Sequence, residues 1–94
     1  NCSGLEKVVI PDTIKYVREY AFYKDVKLKS INLENVQTIG AYAFYNCEVL
    51  NNINLDKIYA IGKNAFENCT ALEKVDISTL RNSGKEIFKG CKSY

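Results

Sequence analysis

The apolar positions of this chain recur in step. Phe22, Phe44, Phe66 and Phe88 are all of its phenylalanines, and each lies 22 residues from the next. Leu5, Leu28, Leu50 and Leu72 form another column, as do Val8, Ile31, Ile53 and Val75, and Ile10, Leu33, Leu55 and Ile77. Ile14, Val36, Ile58 and Leu80 come next, then Val17, Ile39 and Ile61, then Ala21, Ala43 and Ala65. A fixed period of about 20–30 residues marks a solenoid. Each unit is too short to enclose its own apolar face, and stacking equivalent units turns single side chains into continuous columns.

Spacing inside a unit predicts its elements. The pattern Leu-x-x-Ile-x-Leu ends on apolar residues two apart, the strand period. Short strands are expected near Lys7–Ile10, Ser30–Leu33, Asn52–Leu55 and Lys74–Ile77, parallel because every unit enters its strand the same way. Four of them at about 4.8 Å make a sheet only about 20 Å across. Residues 37–39 and 59–61 predict a second, weaker strand on the opposite side. Lys63–Glu67 predicts a single helical turn carrying Ala65 and Phe66 inward. Gly40, Gly62 and Gly84 fall in register, which asks for positive φ or a close backbone approach. The residue before each cysteine is Asn1, Asn46, Asn68 or Gly90, residues that tolerate the left-handed conformation and suit a stop after the turn.

Residues 28–47 and 50–69 carry L-x-x-I-x-L followed by I-G-x-x-A-F-x-N-C. This run resembles the BspA-like leucine-rich repeats of bacterial and protozoan surface proteins, over essentially the whole chain. The resemblance implies an α/β leucine-rich-repeat solenoid of about four 22–23-residue units, with short parallel strands on the concave side and helical turns on the convex side. It also implies a place at the cell surface or outside the cell, and a role in adhesion or another protein contact. It carries no shared catalytic site and no cofactor.

Composition changes this picture little. The chain is 47% apolar and 12% aromatic, enough for one small domain spanning 1–94, with units near 1–23, 24–45, 46–67 and 68–94. Net charge is +2; residues 1–47 hold 6 basic and 5 acidic side chains, and residues 48–94 hold 7 and 6. With no basic face or acidic tail, nucleic acid is not an expected partner, and no run reaches membrane-spanning length. The chain opens in mid-repeat at Asn1-Cys2-Ser3 and contains no methionine. That predicts a piece of a longer polypeptide, so a missing targeting signal says nothing of location. Both ends are expected to expose stacking surface, and so to fray, to pair with another copy or to continue into a longer array.

The repeats also deviate. Leu5 to Phe22 spans one residue more than Leu28 to Phe44, and the extra residue is expected near Pro11, which also ends the first strand. Val9 is expected to face outward. Lys24-Asp25 stands where Asn-Cys stands elsewhere, and Asp25 is expected to turn outward or cap an amide, because a buried unpaired carboxylate is costly. In the last unit Ser83 replaces isoleucine and Ile87 replaces alanine.

Candidate chemistry is sparse. Without histidine, no Ser–His or Cys–His pair exists, and no phosphate-cradling glycine loop is present, so the chain is not expected to be an enzyme. Cys2, Cys47, Cys69 and Cys91 lack C-x-x-C spacing; their register favours free buried thiols over a metal site. Disulfides between adjacent layers remain within reach in principle, whereas Cys2 and Cys47 lie two layers apart. Asn1-Cys2-Ser3 and Asn68-Cys69-Thr70 match the glycosylation acceptor pattern only because Asn-Cys belongs to the repeat. The expected binding surface is the outward side of the first row of strands: Lys7, Val9, Ser30, Asn32, Asn52, Asn54, Lys74 and Asp76. Its bland counterpart is a merely solvated sheet face. Tyr16, Tyr20, Tyr23, Tyr42 and Tyr45 form a second patch, with ring packing over the convex side the favoured reading. The function expected is non-enzymatic protein binding, in adhesion or host contact. A spacer displaying another domain, and carbohydrate binding through Asn32, Asn52 and Asn54, are the rival readings.

Overall fold

The computed structural model describes residues 6–51, 53–73 and 75–91. Its strands are β1 (Lys7–Val8), β2 (Tyr16–Val17), β3 (Ser30–Ile31), β4 (Thr38–Ile39), β5 (Ala60–Ile61) and β6 (Asn82–Ser83). All pairings are parallel. β1 pairs with β3, and β2-β4-β5-β6 form a four-stranded sheet. Tyr16 lies opposite Thr38, Thr38 opposite Ala60, and Ala60 opposite Asn82, so the sequence period is the stacking period. Lys7 lies opposite Ser30, a step one residue longer that absorbs the insertion before β2. The molecule measures 30 × 29 × 20 Å, and the shortest extent equals that of four layers about 4.8 Å apart.

The weight of the two strand rows is the reverse of the sequence expectation. The row expected to be weaker runs through all four units, whereas the first row is represented by β1 and β3 among the described residues. The strands expected at Asn52–Leu55 and Lys74–Ile77 begin on residues outside the described set, and 53–55 and 75–77 are not strand.

The helical turns are not formed, so the helical half of the α/β expectation is corrected. Residues 19–24, 41–46, 63–68 and 85–90 are successive turns. A helix needs every amide to bond back along its own segment. Here the amides alternate. Ala43, Tyr45 and Cys47 bond to the carbonyls of Gly40, Tyr42 and Phe44, while Tyr42, Phe44 and Asn46 bond to those of Lys63, Ala65 and Glu67 in the next unit. Half of the turn's donors therefore hold the stack together. The geometry requires positive φ at the third residue of the outer turns, as at Tyr42 (59°), Asn46 (61°), Asn64 (57°) and Asn68 (62°). Lys24 keeps the same conformation at 59°.

The glycine register has the second of its two expected causes. A Cβ on Gly40 would lie 2.5 Å from the Glu19 nitrogen, and one on Gly62 would lie 2.5 Å from the Ala41 nitrogen. The backbones of adjacent units touch there, and no side chain fits between them.

The core is the set of columns. Phe44 and Phe66 are fully buried and stack with ring centroids 5.2 Å apart. Leu28, Leu50, Val36 and Ile58 are buried with them. Asp25 contradicts its expectation: it neither turns outward nor caps an amide. It is fully buried in the cysteine column, and neither carboxylate oxygen has a hydrogen-bond partner.

Candidate functional site

The outward positions of the first strand row separate into three groups. Lys7 and Val9 are exposed, Val9 by 72%, because alternation along the strand sends Val8 and Ile10 toward the core. Asn32 is half-buried and committed: its Oδ1 accepts from the Ile10 amide at 2.7 Å and its Nδ2 donates to the Ile10 carbonyl at 2.8 Å. This clamp replaces the ladder that Pro11 cannot continue. Asn54 and Asp76 are exposed but fold back on their own turns, accepting from the amides of Asp56 at 3.0 Å and Ser78 at 2.9 Å. The Ser78 amide holds the Asp76 carboxyl below the usual carboxylate range. Ser30 is half-buried; Asn52 and Lys74 lie outside the described residues. Among the described residues at these positions, Lys7 and Val9 are the exposed side chains not turned back on the backbone.

A shallow groove of about 460 Å³, bounded by Tyr16 and Glu19 in the first unit and by Asn82 and Ser83 in the last, crosses the four-stranded sheet. Its floor is low because Thr38 and Ala60 are small and the glycine row brings the backbones together. Sequence reasoning did not single out this face, although the glycine register pointed to it.

The tyrosines form a cluster of four rings. Tyr20 stacks on Tyr42 with centroids 5.2 Å apart, and Tyr23 on Tyr45 at 5.1 Å. Edge contacts at 5.2 and 5.6 Å join the two columns. The Lys24 ammonium lies 5.3 Å from the Tyr23 ring centroid. The rings therefore pack on one another along the stack, and Tyr20 remains 51% exposed. Tyr16 stands apart, at the groove.

The cysteines are free and buried at positions 47, 69 and 91. Each thiol donates to a phenylalanine carbonyl of the preceding unit: Cys47 to Phe22 at 3.2 Å, Cys69 to Phe44 and Cys91 to Phe66 at 3.1 Å. Burial pushes the Cys47 thiol up to about 12, against the pull of the nearby Asp25 amide. Burial also raises Cys69 and Cys91. Among the described residues no cluster of three or more His, Cys, Asp or Glu can hold a metal ion, and no helix is long and apolar enough to cross a membrane.

The family model of the BspA-type leucine-rich repeat region, six copies, matches residues 1–94. The chain belongs to the BspA-type leucine-rich repeat family. Two solved bacterial structures share the architecture of this BspA-type module. A leucine-rich repeat protein from Bacteroides ovatus ATCC 8483 is 32% identical, with a TM-score of 0.81 over 90% of this chain and 25% of that protein. The Treponema pallidum leucine-rich repeat protein is 31% identical, with a TM-score of 0.79 over 87% of this chain and 42% of that protein. The module thus spans less than half of either relative. No curated protein matches it.

Leucine-rich repeats of this family serve in general as protein-interaction scaffolds, and the family is commonly found at the surface or secreted. Among the described residues, the exposed features of this BspA-type module include the Lys7–Val9 side of the first strand row, a shallow groove and a tyrosine cluster.

Proposed function

We propose that this module binds a protein partner at the cell surface, in adhesion or host contact, through the Lys7–Val9 side of the first strand row. The observation that carries the reading is the presentation of Val9. It is 72% exposed, yet it stands next to Ile10, whose amide and carbonyl are both held by Asn32. An apolar side chain on a clamped backbone loses little freedom on binding, the condition under which one residue contributes most to an interface. Labelled protein is expected to bind whole cells, and Val9→Asp and Lys7→Glu each to weaken that binding by about tenfold, some 1.4 kcal/mol, with unchanged melting. Binding that survives both substitutions would place the contact elsewhere. No binding at all would favour the spacer reading.

That spacer reading is favoured by the commitment of Asn32, Asn54 and Asp76 to their own backbone. The same bonds weaken the carbohydrate reading, since the Asn32 amide is already paired on both sides. Self-association has separate support: Val9, Ile14, Tyr16 and Tyr20 of the first unit are exposed. Ile14 is 40% exposed although its column partners Val36 and Ile58 are fully buried. Light scattering over a dilution series should then show a dimer that Ile14→Asp abolishes; a monomer at every concentration removes the idea.

A further inference from the structure

We propose that the four-tyrosine cluster is an oxidative cross-linking site, at which a peroxide-driven peroxidase joins the first unit to the second through a dityrosine bond. Composition and geometry support it independently.

The chain has no tryptophan, methionine or histidine. Cys47, Cys69 and Cys91 are buried with raised pKa values, so they stay as S–H rather than as the reactive thiolate. One-electron oxidation at the described surface therefore falls on tyrosine. Tyr20 is 51% exposed and open to the oxidant. Three further phenols lie within reach of it: Tyr42 stacked at 5.2 Å and nearly parallel at 4°, Tyr23 edge-on at 5.2 Å, and Tyr45 at 5.1 Å beyond Tyr23. The two stacked pairs hold phenol rings of adjacent units together, with centroids 5.2 and 5.1 Å apart. Holding reactants together in this way favours coupling within the chain over encounters between chains.

In the reaction, each tyrosine loses one electron and its phenolic proton. The two radicals form a carbon–carbon bond between ortho positions, and the two displaced ring hydrogens return to the oxygens as the rings regain aromaticity. The two electrons and two protons reduce one hydrogen peroxide to two waters. The new bond closes a loop across the junction at which Asp25 lies buried and unpartnered.

The test uses the Cys2→Ser chain, so that a thiol at position 2 does not compete, treated with hydrogen peroxide and a haem peroxidase at low protein concentration. Trypsin separates the tyrosines: Tyr16 falls in peptide 16–18, Tyr20 and Tyr23 in 19–24, Tyr42 and Tyr45 in 30–57, Tyr59 in 58–63 and Tyr94 in 93–94. The expected product is a monomer with dityrosine fluorescence, lighter by two hydrogens per bond, in which peptide 19–24 is joined to peptide 30–57. Tyr42→Phe with Tyr45→Phe keeps the ring packing and should lose most of that fluorescence, whereas Tyr16→Phe with Tyr59→Phe should retain it. A circular dichroism melt checks that both variants fold. Covalent dimers as the main product, joined peptides led by 16–18 or 58–63, or undiminished fluorescence in the Tyr42/Tyr45 variant would each overturn the proposal.

Discussion

At the scale of the residue, burial decides what each side chain is worth. Phe66 is fully buried between Phe44, at 5.2 Å, and Phe88, at 5.7 Å. Phe66→Ala removes contacts on both sides and is expected to cost about 3–5 kcal/mol, measured by urea unfolding; unchanged stability would undo the column assignment. Asp25 is the opposite case. Its equivalents Cys47, Cys69 and Cys91 each donate a thiol hydrogen to a carbonyl, whereas its own oxygens are unpaired. Asp25→Cys is expected to stabilise the chain by about 1–3 kcal/mol, the cost of an unsatisfied buried polar group. A lowered melting temperature would mean that the carboxylate is supported after all. The tyrosines at positive φ illustrate a compromise: Tyr20 and Tyr42 hold φ of 60° and 59°, where Asn64 fits with less strain, yet only the tyrosines can build stacked rings.

At the scale of the element, the unit is defined by where its amides donate. The two-residue strands are too short to hold together alone, and the turn ladder supplies equivalent bonds on another side of each unit. The glycine row is the condition for that closeness. Gly62→Ala would place a methyl group against the Ala41 backbone and force β4 and β5 apart. A loss of about 1–3 kcal/mol or more is expected, with faster hydrogen exchange at the Gly62 amide, which bonds to the Ile39 carbonyl at 2.7 Å. An Ala variant as stable as the parent would show that the units can separate freely. The repeating glycines and asparagines were legible in the sequence as special backbone positions. Their consequence was not. Lys63–Glu67 has the length of a helical turn, but local spacing does not reveal that half its donors are claimed by the neighbouring unit. The same non-local pairing makes β2-β4-β5-β6 the continuous sheet, although L-x-x-I-x-L is the stronger apolar signal.

At the scale of the whole molecule, the thiol column links stability to pH. The Cys47 pKa rises from its ordinary value of 9.0 to about 12 in the fold. A raised pKa means that the fold favours the protonated form. That contribution is complete below pH 9 and is lost as pH climbs toward 12. Thermal melts at increasing pH should therefore fall across this window, and Cys47→Ala should flatten the decline. Alkylation of the buried thiols should track unfolding. A decline that Cys47→Ala leaves unaltered would assign it to other groups.

The periodic sequence by itself determined the stacked-repeat architecture, its 22-residue step, the extra residue in the first unit and most of the buried columns, Ile14 excepted. These follow from composition at fixed spacing, because identical layers must bury identical positions. It also exposed Val9 correctly, since strand alternation is a local rule. Only the tertiary structure decided that Asn32 is spent on Ile10, that Asp25 is buried, that the turn is not a helix and that Tyr16 stands apart from the other clustered tyrosines. Those outcomes depend on contacts between residues about one unit apart, and the partner a polar group finds across a layer is fixed by three-dimensional register, not by the residues beside it in the chain.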